Sequence, residues 1–142
     1  MPNERRLALT IRVVEMNDAA AGAQLMCEVG YETTESEMQM RMERICGDER
    51  YRTFVAVLDG KVCGMIGTLT SPSYEHNDPG GRILALAVFS TMRRCGIGRA
   101  LIATAEEDFA HSRTLSTATI ASQEFRFMFM KRNCFTKHLL VS

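Results

Sequence analysis

No apolar run in this sequence approaches the ~18 residues that a membrane-spanning helix needs. Met1–Thr10 carries Arg5 and Arg6 but no apolar segment behind them, so it does not read as a signal peptide. Charge of one sign is also missing: Lys and Arg number 17, Asp and Glu number 17, and nothing in that balance suggests a nucleic-acid partner. The five cysteines (Cys27, Cys46, Cys63, Cys95 and Cys134) are odd in number and scattered. No two stand at C-x-x-C spacing, and the three histidines do not cluster with them. That argues against a metal site or a disulfide framework and for a reducing, cytoplasmic setting.

What remains is a chain of 142 residues, 46% hydrophobic, enough for one domain over 1–142 with its own core. Leu9–Glu15 alternates as a strand. Asn17 or Asp18 can cap the helix after it, on which Gly22, Leu25, Met26 and Val29 share a face and Gly30 offers a stop. Thr34-x-x-Glu37 is a capping box for a second helix with Met38, Met42, Ile45 and Cys46 as its apolar stripe. Three methionines there invite a binding role, but core packing is the commoner reason for such a stripe. Thr53–Leu58 and Lys61–Leu69 read as strands joined by Asp59-Gly60, a strong hairpin signal. Gly64 and Gly67 inside the second suggest a bulge or a close approach. Ser71–Gly81 is a polar loop, and Leu115–Ala121 reads as a further strand.

The informative stretch is Ile83 to Ala110. Ile83–Val88 is a continuous apolar run bounded by turn residues, which suits a strand buried on both faces. A short helical segment looks similar, but length and flanks favour the strand. Arg93-Arg94-Cys95-Gly96-Ile97-Gly98 follows, and a helix begins near Gly96–Gly98 with Gly98, Leu101, Ile102, Ala105 and Phe109 on one face. The first N–H groups of that helix have no intrahelical partner, and its dipole stabilises an anion there by ~0.3–1 kcal/mol. Gly96 and Gly98 carry no Cβ to hold a phosphate off the backbone, and Arg93, Arg94 and Arg99 add forked cationic donors. A glycine turn alone is more often a solvated basic patch; the joint occurrence of strand, arginines, glycines and helix makes this an anion cradle. A dinucleotide-binding or Walker loop fits poorly, because the third glycine and the Gly-Lys-Ser/Thr are absent.

Arg93-x-x-Gly96-x-Gly98 between a strand and a helix resembles the signature of the GNAT superfamily of N-acetyltransferases. The order of elements over residues 9–121 is similar as well. The resemblance implies an α/β (α+β) fold with a mixed, mostly antiparallel central sheet flanked by helices. It implies acetyl-CoA as cosubstrate, with pyrophosphate on Arg93, Arg94, Cys95, Gly96, Ile97, Gly98 and Arg99 and the pantetheine arm against the backbone of Leu86, Ala87 and Val88. The reaction it implies is direct attack by a neutral amine on the thioester carbonyl. A backbone N–H near Ala87 or Val88 then serves the oxyanion. Cys95, within the loop, is read as a small residue that fits rather than a reactive one.

The resemblance is weakest after Ala121. The family's Phe-Tyr-x-x-x-Gly-Phe pattern corresponds here to Phe129-Met130-Lys131-Arg132-Asn133-Cys134-Phe135. Met130 stands where the tyrosine that protonates the leaving thiolate is expected, and all three tyrosines (Tyr31, Tyr51, Tyr74) precede the cradle. Phe125, Phe127 and Phe129 fit a strand, while Phe125, Met128 and Phe129 fit a helix. The short tail implies either a homodimer that completes the sheet or a weakened fold; the dimer is preferred. Glu75, His76 and Tyr31 (with Glu32) are candidate proton acceptors, each set against a plain solvated loop residue. Glu32, Glu35, Glu37, Glu43, Asp48 and Glu49 either attract a cationic amine or form the wet face of a helix. Two functions stay open: an N-acetyltransferase acting on a small-molecule or protein amine, and a non-catalytic acyl-CoA-binding module that has lost its general acid.

Overall fold

A computed structural model describes residues 8–74, 77–92, 95–111 and 115–116. Strand β1 (Leu9–Val13) leads through a 3-10 turn (Met16–Asp18) into helix α1 (Ala19–Glu28), followed by α2 (Glu35–Cys46). Strands β2 (Tyr51–Leu58), β3 (Lys61–Ser71) and β4 (Gly80–Val88) come next, then a 3-10 turn (Ser90–Met92), α3 (Ile97–His111) and β5 (Leu115–Ser116). The sheet order is β1-β2-β3-β4-β5, antiparallel through β4, with β5 parallel to β4. This is the expected mixed, mostly antiparallel sheet between helices.

Local chemistry explains the joints. Asp59 (φ 54) and Gly60 (φ 81) both take the left-handed conformation that a two-residue hairpin requires. Thr34 accepts from the Glu37 N–H at 3.2 Å, and the Thr34 N–H donates to Glu37 Oε1 at 2.9 Å, so the capping box forms. Helix α1 ends in a Schellman motif: Gly30 (φ 101) donates to Cys27 O at 3.1 Å and Tyr31 to Met26 O at 2.8 Å. Asp18 sits at the N-cap of α1 but does not cap it. Its carboxylate instead takes two hydrogen bonds from Arg12 (2.8 and 3.0 Å) and one from the Glu15 N–H (2.7 Å). The forked guanidinium on β1 outcompetes the helix amides and turns the chain into α1.

The core lies on both faces of the sheet. Ala19, Ala23, Leu25, Met38 and Met42 of α1 and α2 pack on Val55, Met65 and Ala87. Ile97, Leu101, Ile102 and Ala105 of α3 pack on Phe54, Ile66, Leu86 and Val88. Met38 and Met42 are therefore core residues, whereas Met40 is exposed and the stripe ends before Cys46. Two glycines let α3 come close. A Cβ on Gly81 would lie 2.6 Å from Phe109 Cε1, and one on Gly64 would lie 3.2 Å from Ile97 Cγ2 and from Leu101 Cδ1. Gly67 borders a register shift between β3 and β4. So Gly64 serves the close approach, and a register shift lies beside each glycine: Cys63 is the extra residue next to Gly64, and Leu84 the extra residue opposite Gly67.

Strand β4 is buried on both faces only along its C-terminal part, Leu86–Val88. Arg82 and Leu84 are exposed, because Ile83 and Ala85 pair with Thr68 and Gly67 and leave Leu84 as the extra residue of a bulge. The strand expected over Leu115–Ala121 is seen at Leu115–Ser116; its remainder and the tail through Phe125, Met130 and Cys134 lie outside the described residues.

Candidate active site

Three features meet where β4 ends. The first is an open strand edge. Strand β5 pairs with β4 at Gly80 and Gly81, and among the described residues no strand pairs with that side of β4 further on. The Phe89 N–H donates to Cys63 O at 3.0 Å, which makes Phe89 and Cys63 a hydrogen-bonded pair. Alternation along an antiparallel ladder then turns the peptide groups of Ala87 and Ala85 toward β3 and those of Leu86 and Val88 away from it. Of the two N–H groups expected near an oxyanion, Ala87's is thus directed into the sheet. Val88 faces the edge, and so does Leu86.

The second feature is the start of α3. Ala100 donates to Gly96 O at 3.0 Å, the first bond of the helix, so the N–H groups of Ile97, Gly98 and Arg99 precede any intrahelical acceptor. Gly96 has φ 81, and a Cβ there would meet nothing within 4 Å. The glycine is needed for its backbone conformation rather than for room, a distinction sequence reading did not make. The Ile97 side chain is in the core, so only its backbone can face a ligand. Cys95 and Arg99 are exposed; Arg93 and Arg94 lie outside the described residues.

The third feature is the turn that joins the two. Met92 donates to Phe89 O at 2.9 Å, and the Ser90 N–H donates to Glu28 Oε1 of α1 at 2.8 Å. Beside this turn is a cavity of about 460 Å³ between α1 and β3, lined by residues including Asn17, Gln24, Lys61, Thr91 and Met92. Cys63 reaches it as well, but burial pushes that thiol above its ordinary pKa and its Sγ lies 3.5 Å from Ala56 O. Neither the cavity nor the Glu28 contact has a local sequence signature, since each joins residues far apart in the chain.

A strand edge with no pairing strand among the described residues, running into a helix start whose first N–H groups have no intrahelical acceptor, suits a ligand with an extended amide arm and a terminal diphosphate. Residues 18–126 match the family profile described as Acetyltransferase (GNAT) family. The chain belongs to the GNAT acetyltransferase family. Acetyl-CoA is the cosubstrate that goes with this family. Among curated protein sequences no match was found. Among solved structures, a GNAT family acetyltransferase of Staphylococcus aureus is 25% identical, with a TM-score of 0.74 over 82% of this chain and 88% of that one. An acetyltransferase of Trypanosoma brucei is 19% identical, with a TM-score of 0.78 over 95% and 97%. The aminoglycoside N-acetyltransferase AAC(6')-Iy, crystallised with CoA, is 16% identical, with a TM-score of 0.80 over 99% and 96%. The last two likenesses show a shared fold.

For a GNAT acetyltransferase, a group that takes the amine's proton was expected among Tyr31, Glu75 and His76. Tyr31 is 61% exposed in the loop between α1 and α2. That loop is fixed from below: Thr33 is buried, donates to Tyr31 O at 2.7 Å and accepts from Arg41 Nη1 at 3.1 Å. Glu75 and His76 lie outside the described residues. The acidic residues divide. Glu37 is engaged in the capping box, and Arg50 holds the Asp48 carboxyl down to about 2 through bonds of 2.8 and 3.1 Å. Glu32, Glu35, Glu43 and Glu49 are exposed. No group of three or more His, Cys, Asp or Glu among the described residues is placed to hold a metal. No helix among them is long and apolar enough to cross a membrane.

Proposed function

We propose that this chain is an acetyl-CoA-dependent N-acetyltransferase, moving the acetyl group to a primary amine of a small molecule or protein by direct attack. The observation that carries the reading is the juxtaposition of the end of β4 with the start of α3, where Leu86, Val88 and Ile97 share one core cluster. On this reading Leu86, Ala87 and Val88 line the pantetheine arm. Leu86 offers it strand-like backbone hydrogen bonds, as an added strand would receive. Cys95–Arg99, with Arg93 and Arg94, hold the pyrophosphate. The acetyl group then lies near the Leu84 bulge, where a backbone N–H freed from the ladder can serve the oxyanion.

The amine enters beside the α1–α2 loop, with Tyr31, Glu75 and His76 as the groups to test for proton removal. If Glu75→Gln leaves both CoA binding and the pH–rate profile unchanged, Glu75 is not the base. The chain works as one domain in the cytoplasm, with a second copy completing the sheet in a homodimer. Structures with aminoglycoside acetyltransferase activity in their names share the fold, which favours a cationic amine as the first acceptor to try.

Met130, at the position expected for the thiolate's proton donor, favours a second reading in which the domain binds acyl-CoA without turnover. Thiol release from acetyl-CoA across a panel of polyamines, aminoglycosides and peptide amines separates the two. Release with any amine supports the enzyme. Saturable CoA binding with no release across the panel supports the binding module.

A further inference from the structure

Glu28 stands at the wrong end of its helix. It is the last residue of α1, where the helix dipole is negative and an acidic side chain is unfavourable. The Schellman motif at Gly30 and Tyr31 already satisfies that helix end, so α1 gains nothing locally from a carboxylate there. What the carboxylate does is tertiary. Glu28 Oε1 accepts from the Ser90 N–H at 2.8 Å, across 62 positions of sequence. Ser90 opens the 3-10 turn Ser90–Met92, and its N–H is one of the donors such a turn leaves without an internal acceptor.

We infer that Glu28 is a positioning residue for the cofactor cradle, holding the lead-in of the phosphate loop in register with the β4 edge. The inference rests on the reading of the β4–α3 junction as an acetyl-CoA site. One backbone bond ties the same turn to the sheet, Phe89 to Cys63 O, and a second closes the turn itself, Met92 to Phe89 O. Glu28 fixes it from the α1 side. Residues 89 and 90 are thereby held by two different elements, immediately after Leu86–Val88 and shortly before Gly96. A diphosphate bound at the α3 start and an arm laid along β4 need that spacing constant, because a loop free to shift must be ordered at each binding event. The same bond ties α1, which leads into the Tyr31 loop, to the cofactor side of the site.

The test compares Glu28→Ala and Glu28→Gln with the wild-type protein, using CoA as the titrant in calorimetry. The amide oxygen of Gln can accept from Ser90; Ala cannot. Glu28→Ala is expected to weaken CoA binding about three- to tenfold, the loss expected for one solvent-exposed hydrogen bond of ordinary net strength. Glu28→Gln stays within about twofold of the wild type on the same scale. Tm changes by no more than about 2 °C in Glu28→Ala, since the helix end sheds an unfavourable charge as it loses the bond. Amide exchange at Ser90 quickens in Glu28→Ala and not in Glu28→Gln.

Three results overturn the inference: Glu28→Ala binding CoA as tightly as the wild type, Glu28→Gln as weak as Glu28→Ala, or a loss of affinity accompanied by a large fall in Tm. A wild-type protein that binds no CoA overturns the underlying reading instead. Binding by the wild type with no effect of Glu28→Ala overturns this inference alone.

Discussion

Gly64→Ala tests how the fold places the helix start that the site depends on. The new Cβ would sit 3.1 Å from Ala87 O, 3.2 Å from Ile97 Cγ2 and 3.2 Å from Leu101 Cδ1. Favourable carbon contacts are at about 3.5–4.0 Å, so each neighbour must yield by several tenths of an ångström. Ala87 O belongs to the central ladder and cannot move alone. Ile97 and Leu101 are 2% and 0% exposed, so they can move only if α3 lifts from the sheet. Overpacking of this kind costs about 1–3 kcal/mol. For 142 residues the unfolding entropy is about 0.3 kcal/mol/K, so the expected fall in Tm is about 3–10 °C. CoA affinity should fall with it, because Ile97 and Gly98 begin the helix proposed to receive the diphosphate. Gly67→Ala is the control. It is three residues along the same strand, and its Cβ would meet only Ala85 Cβ, at 4.0 Å. It should be neutral or slightly stabilising, since alanine narrows the unfolded ensemble. Thermal melts of the two variants decide the matter. A Gly64→Ala protein that melts no lower than Gly67→Ala refutes the close-approach argument.

Gly96→Ala should cost about 1–2 kcal/mol, the penalty of a left-handed L-residue, although its Cβ meets no atom within 4 Å. Gly96→Asn should cost less, and equal losses by chemical denaturation would contradict a purely backbone origin. Asp18→Asn should lower stability at neutral pH. The hydrogen bonds from Arg12 hold the Asp18 carboxyl below its ordinary value, against the opposing effect of burial. A lowered folded-state pKa contributes stability above the unfolded value, ~3.9, and that stability disappears as pH falls through the folded value. The Tm gap between wild type and Asp18→Asn is therefore full at pH 6–7 and closes below about pH 4; a gap that widens in acid contradicts the ion-pair account.

Much of this was legible in the sequence because local rules carried it. Asp59-Gly60 made a hairpin because both residues accept positive φ. Thr34 and Glu37 made a capping box because each supplies what the other lacks. Gly98, Leu101, Ile102, Ala105 and Phe109, the face read from the apolar period, are all buried on α3, which buries Ile97 as well. The misses share a different cause. Asn17 and Asp18 are both candidate helix caps by sequence, but Arg12, six positions before Asp18, claims the Asp18 carboxylate. The run Ile83–Val88 looked uniformly buried, yet Leu84 turns outward at a bulge that only the pairing with β3 can create. Glu28 carried no signal at all, since an exposed glutamate acquires meaning only when Ser90 is folded against it. Long-range pairing decides such positions, and neither periodicity nor motif spacing encodes it.

The central claim is that the β4 edge and the α3 start together form an acyl-CoA site. Isothermal titration of the purified wild-type chain with CoA tests it most directly, with a variant carrying Arg93→Ala and Arg94→Ala as the matched control. The account predicts saturable binding at one site per chain, and weaker binding once the two guanidinium groups are gone. No binding at millimolar CoA would contradict it, as would affinity unchanged in the double variant.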